Sequence, residues 1–208
     1  MFRNLLRPDS ALMITMTQIT DCIFLSLFFL LGCFPVVTAG ASFAALYDAS
    51  FRAFRQGEKN SWQRFFHVFR ENWRAGMVPT AVFLVILMGT LWGVIQVWNG
   101  AVAGNLSWGL FSGAALVGVL VLGIVSVLFP VLSRFENSTA GLLRNTVLLA
   151  LGNLPRTLAL GVLNAVTGYL CVRYIFPLFF LPSLAALLGS LFLEPMFRPF
   201  MNTEEDVA

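Results

Sequence analysis

Three apolar stretches, Ala11 to Phe34, Met77 to Trp98 and Trp108 to Leu132, constrain this chain more than any other feature. Each matches or exceeds the roughly 20 residues that an α-helix needs to cross a hydrocarbon core of about 30 Å. A soluble chain of 208 residues could not enclose them together with its 21 Phe and 5 Trp. Lipid can cover them instead. Hydrophobic residues make up 58% of the sequence and charged ones 11%, against roughly 45–50% and 25% in soluble domains. Inside hydrocarbon every backbone polar group needs an internal partner, so runs of this length imply helices. The expected fold class is all-α, a polytopic transmembrane bundle forming one domain.

The remaining apolar sequence is less regular. Residues 155–193 are too long for one crossing, and Arg173, Tyr174 and Pro177 divide them into 155–175 and 177–193. Segment 36–54 is only moderately hydrophobic, rich in Ala and Ser, and contains Asp48. Positive charge helps to place it. Arg3 and Arg7 precede the first run, Arg52, Arg55, Lys59, Arg64, Arg70 and Arg74 lie within 52–74, and 99–107 holds none. Lys and Arg gather in cytoplasmic loops, so 52–74 is expected inside and 99–107 outside. Six crossings, at 11–34, 36–54, 77–98, 108–132, 155–175 and 177–193, put both chain ends in the cytoplasm and leave Arg173 alone on the wrong side. Five crossings result if 36–54 stays out, which strands Arg3 and Arg7 outside. Pro35, supported by Gly32, would turn the first hairpin. The long first run carries Asp21 and no small-residue cleavage site, so it is expected to stay rather than act as a signal peptide.

Two further segments read as helices lying on the membrane. Over 61–74, Trp62, Phe65, Phe66, Phe69 and Trp73 recur at helical spacing, with Gln63, Arg64, His67, Arg70, Glu71 and Arg74 opposite. An aromatic stripe beside a basic face suits the headgroup layer, and Ser61 suits an N-cap. The second, 138–151, is aliphatic apart from Arg144 and Asn145. Each leads into a crossing through an Asn-containing link, Asn72 to Gly76 and Asn153 to Thr157, a faint internal repeat. The acidic tail 202–208 is expected to be disordered.

Ionisable groups inside a membrane are costly, which singles out Asp21, Asp48 and Arg173. They could line a polar path. The plainer reading gives Asp21 a hydroxyl neighbour such as Thr17 or Thr20, and pairs Asp48 with Arg52 four residues on. Gly40 with Ala44, and Ala41 with Ala45 and Ala49, place small residues four apart, so that this helix is a packing surface for its own bundle or for another subunit. A net charge of +3 offers no basic face for nucleic acid. Cys22, Cys33 and Cys171 lack pairing or ligand spacing, and His67 is the sole histidine. No Walker A loop, nucleophile elbow or zinc motif occurs, so neither enzymatic activity nor a cofactor or metal is expected.

Pro35-Val36-Val37-Thr38-Ala39-Gly40-Ala41, followed by Ala44-Ala45-Leu46-Tyr47, resembles the P-x-V-T-x-G-A…A-L-Y stretch of the YesL family of bacterial membrane proteins. Phe65-Phe66, Phe69 to Trp73, Arg134 to Asn137 and Asn153-Leu154-Pro155-Arg156-Thr157 resemble it too. The resemblance implies the bacterial cytoplasmic membrane and a place beside carbohydrate ABC transporters, and it assigns no catalytic residue. The function expected is a non-enzymatic accessory or scaffold protein whose partners are lipid and the permease or ATPase subunits of such a transporter. The alternative is a small homo-oligomeric transporter or channel with Asp21, Asp48 and Arg173 along its path.

Overall fold

The computed structural model describes residues 11–58, 60–134 and 139–205. Among them there is no strand, and seven α-helices follow in order. These are α1 (Ala11–Cys33), α2 (Ala39–Phe51), α3 (Ser61–Val102), α4 (Trp108–Arg134), α5 (Thr139–Gly152), α6 (Leu154–Arg173) and α7 (Leu181–Glu205). Arg3, Arg7, Lys59 and residues 206–208 lie outside the described part. The helical bundle expected from the apolar runs is present. By length and composition, among the described residues, α1, α3 and α4 can each cross a membrane alone, and α5 with α6 makes a fourth span if the bent pair counts as one. That is fewer than the six or five expected.

The largest departure is α3. Its 42 residues form one helix, about 63 Å at 1.5 Å per residue, so 61–74 is not a separate surface helix but the first third of a spanning one. The supposed link does not break it. Asn72 Nδ2 donates to the Val68 carbonyl one turn back, 3.0 Å away, and Thr80 closes a similar bond to the Gly76 carbonyl beside the internal Pro79. The second link behaves differently. Pro155 has no N–H to give the Leu151 carbonyl and its ring would clash there, so it is tolerated only in the first turn of a new helix; Asn153 adopts φ −129°, ψ 47° before it, and α5 and α6 meet at 103°. The two halves of the apparent repeat therefore differ. Likewise the acidic tail begins inside α7, whose helix continues to Glu205.

Helix α2 occupies the centre. Every residue from Gly40 to Ser50 is buried except Phe43, with Ala44 and Tyr47 in one apolar cluster and Ala45, Leu46 and Ala49 in the other. Small side chains admit this. A Cβ on Gly40 would collide with Thr80 Oγ1 and the Phe129 ring, and one on Gly76 would press on Leu132. Surrounded by protein, α2 needs no lipid-facing apolarity, which explains its modest hydropathy. Helical backbone continues from it through a π-helical turn, Arg52–Gln56, that Gly57 ends at φ 69°, a conformation glycine adopts without steric cost. Ala45 is fully buried, so Ala45→Phe should abolish a monodisperse peak in size-exclusion chromatography; a normal peak would refute the central placement of α2.

Pairwise contacts fix the directions. Gly40 faces Thr80 and Asp48 meets Arg64, so α2 and α3 are antiparallel. Trp98 packs on Trp108 while Gly76 faces Leu132, so α3 and α4 are antiparallel. Between α4 and α6, Gly161 meets Val119, Gly123 meets Thr157, and Asn164 bonds Ser126. The turns Val119–Gly123 and Thr157–Gly161 face each other, and the bonded Ser126 and Asn164 each lie three residues past the glycine of their helix, so these two helices run parallel. The alternation behind six crossings fails here, because α5 first turns back along α4, burying Leu142, Thr146, Leu149 and Ala150. It packs on the bundle as a returning half-span rather than lying alone at the interface. Placing both chain ends on one side depended on that alternation and loses its basis. Arg173, expected at the outer end, closes a helix that runs the same way as α4 and so belongs with the arginine-rich end.

Candidate functional site

The first turn of α3 is held by carboxylates from two other helices. Ser61, the first residue of α3, donates its hydroxyl to Asp21 Oδ1 at 2.9 Å. One turn on, Arg64 Nε reaches Asp48 Oδ2 at 2.6 Å, and Arg52 Nε bridges the same carboxylate at 3.3 Å. Asp48 is 4% exposed, and a carboxylate so removed from water must be paired. Asp21 and Asp48 are thereby brought to one place, the amino end of α3. The expected Asp48–Arg52 pair is present, with Arg64 as a second and closer partner. Ser61 is not the N-cap. Asn60 holds that position without a side-chain bond, and the Ser61 hydroxyl serves Asp21. Thr20 bonds the Met16 carbonyl, so Asp21 finds its partner across helices rather than in that neighbour. Arg173 is not part of this group: it is exposed, with its guanidinium 5.6 Å from the Tyr174 ring centre.

The aromatic stripe of 61–74 is divided between two surroundings. Phe65 is buried and Phe69 half-buried against α1 and α2, and Phe28 of α1 stacks near Phe65 and Phe66. Trp62, Phe66 and Trp73 remain exposed. Around them lie Gln63, Arg70 and the exposed His67–Glu71 contact at 3.2 Å, which contributes little to stability in water. Arg74 stacks on Trp73 at 5.1 Å.

Higher in the bundle, α1, α2, α3, α4, α6 and α7 line a partly open cavity of about 330 Å³. Its wall is predominantly apolar, with Phe29, Phe43, Phe83, Leu122 and Phe129 prominent, and it includes Tyr47, Thr80, Ser126, Asn164 and Cys171. Tyr47 donates to Glu194 of α7 at 3.0 Å. At one side of the cavity α4 and α6 approach so closely at Gly123 and Gly161 that a Cβ on either would strike the carbonyl of the other helix. Nothing in the sequence pointed to the Tyr47–Glu194 and Ser126–Asn164 links beyond the polarity of Ser126 and Asn164 in apolar runs. Gly161 four residues after Thr157 was a readable small-residue spacing.

The family model described as "Protein of unknown function, DUF624" matches residues 22–94, from the second half of α1 through α2 and most of α3. The match thus covers the Asp48–Arg64 contact and the exposed aromatic residues, and stops short of α4. No curated protein and no solved structure matches the chain.

Proposed function

We propose that the chain is a non-enzymatic accessory protein of the bacterial cytoplasmic membrane that acts by binding other membrane proteins, with the permease or ATPase of a carbohydrate ABC transporter as its partner. The observation that carries this reading is the first third of α3. It is too polar for hydrocarbon yet exposes Trp62, Phe66 and Trp73 beside Arg70 and Arg74, on a helix continuous with a crossing. Aromatic and arginine side chains dominate the energetics of protein contacts, and a rigid helix presents them at little ordering cost. Two helices clamp its amino end through Asp21 and Asp48. The same pairing ties up the two carboxylates that a polar path would need. The choice of transporter partner is supported by the YesL resemblance, and the cytoplasmic placement of this end by the arginines at 52–74.

The test is purification of the tagged protein from its host in mild detergent, with mass spectrometry of what accompanies it. Permease and ATPase subunits should co-purify in fixed ratio. Their yield should fall about tenfold for the triple variant Trp62→Ala, Phe66→Ala, Trp73→Ala, since single hot spots of this kind contribute about 2 kcal/mol or more. Recovery of the chain only as a discrete homo-oligomer would overturn the reading in favour of a small transporter.

A further inference from the structure

We propose that the cavity is a binding site for one hydrocarbon chain, supplied by a membrane phospholipid or by a polyprenyl carrier. The hydroxyls and the amide nitrogen of its wall are already engaged. Thr80, Ser126 and Thr167 each donate to a carbonyl of their own helix. The Asn164 amide nitrogen serves Ser126 at 2.8 Å and the Leu160 carbonyl at 2.9 Å, and the Tyr47 hydroxyl serves Glu194. A sugar or ion would find few partners to replace its water. An apolar chain requires none, and apolar cavities of this kind stay dry and accept hydrocarbon. The volume, about 330 Å³, lies at the lower end of the range for small-molecule sites.

Phe43 points to the same occupant. It is 40% exposed although its neighbours in α2 are buried, and its ring is held by Phe29 at 4.7 Å and Phe129 at 5.4 Å. Its open face therefore borders the cavity that it lines. The outward residues of the surrounding helices, Val85, Met88, Val162 and Val166, are exposed and apolar, so the cavity sits in a lipid-facing part of the molecule. This inference is independent of the partner assignment.

The experiment is photo-crosslinking in nanodiscs with two probes, phosphatidylglycerol and a polyprenyl phosphate, each carrying a diazirine in its chain, followed by peptide mapping. Adducts should concentrate on Phe43, Leu122, Val125 and Cys171, and the probe that gives them at lower concentration identifies the source of the chain. Gly168 also lines the cavity, and a Cβ there meets no atom within 4 Å, so Gly168→Phe fills space without displacing backbone. It should lower the cavity adducts about tenfold, the equivalent of about 1.4 kcal/mol in occupancy, while adducts on outward Val85 and Leu116 persist. Wild-type adducts spread evenly over cavity and outward residues with both probes would overturn the proposal, whatever the behaviour of the variant.

Discussion

Replacing Gly161 by leucine should leave no folded protein to recover in mild detergent, and Gly123→Leu should do the same. At each position a Cβ would strike a backbone carbonyl of the facing helix, Val119 for Gly161 and Thr157 for Gly123. A side chain in that position could rotate away, whereas a helix backbone cannot. Overpacking usually costs about 1–3 kcal/mol; parting two helices along their shared length should exceed about 4 kcal/mol, a large fraction of a total stability of about 5–15 kcal/mol. The loss would also sever the Asn164–Ser126 bond, one turn farther along the same interface. Fluorescence-detected size exclusion and thermal unfolding read the outcome. Gly113→Leu, with nothing within 4 Å of its Cβ, should behave as wild type. An unchanged melting temperature for Gly161→Leu would mean that α4 and α6 do not meet as described, and their parallel course would fall with it.

That parallel course marks where sequence reading stopped. Hydropathy found α1, α4 and the 77–98 part of α3 because lipid-facing runs must be apolar throughout, and small-residue spacing pointed to α2 as a packing surface. Both signals are local. Counting crossings by alternation assumed that each apolar run reverses the chain, and α5 defeats the count by returning along α4 within a segment carrying Arg144 and Asn145. Asn72 and Gly76 looked like a break because both residues weaken helices, yet the bond from Asn72 to the Val68 carbonyl keeps α3 whole. The Asp48–Arg52 pair was visible at a spacing of four. Arg64 and Ser61 were not, since no sequence spacing connects α3 to carboxylates on α1 and α2. The cavity was out of reach for the same reason, its wall being assembled from six helices.

Asp48→Ala should be the most damaging single change at the amino end of α3, costing about 2–4 kcal/mol, while Arg52→Ala costs under about 1 kcal/mol. Breaking a buried ion pair by removing one partner typically costs about 3–5 kcal/mol, because the other charge is left without compensation. Here the side chains of Arg64 and Arg52 keep 27% and 37% exposure, so water screens part of that loss and the expected figure is lower. Arg52 is the more exposed and the longer contact, and exposed pairs four apart in a helix contribute only about 0.3–0.5 kcal/mol. Arg64→Ala should fall between them, since it leaves Asp48 at 4% exposure with Arg52 as its remaining ionic partner. Melting temperatures of the single variants and of Asp48→Ala with Arg64→Ala form a double-mutant cycle, with an expected coupling of about 1–3 kcal/mol. Coupling near zero would show that the contact does not hold α3. A large coupling has a functional corollary, because the clamp sets the direction of the helix that presents Trp62, Phe66 and Trp73. Asp48→Ala should then lose co-purifying partners at temperatures where the bundle itself remains folded.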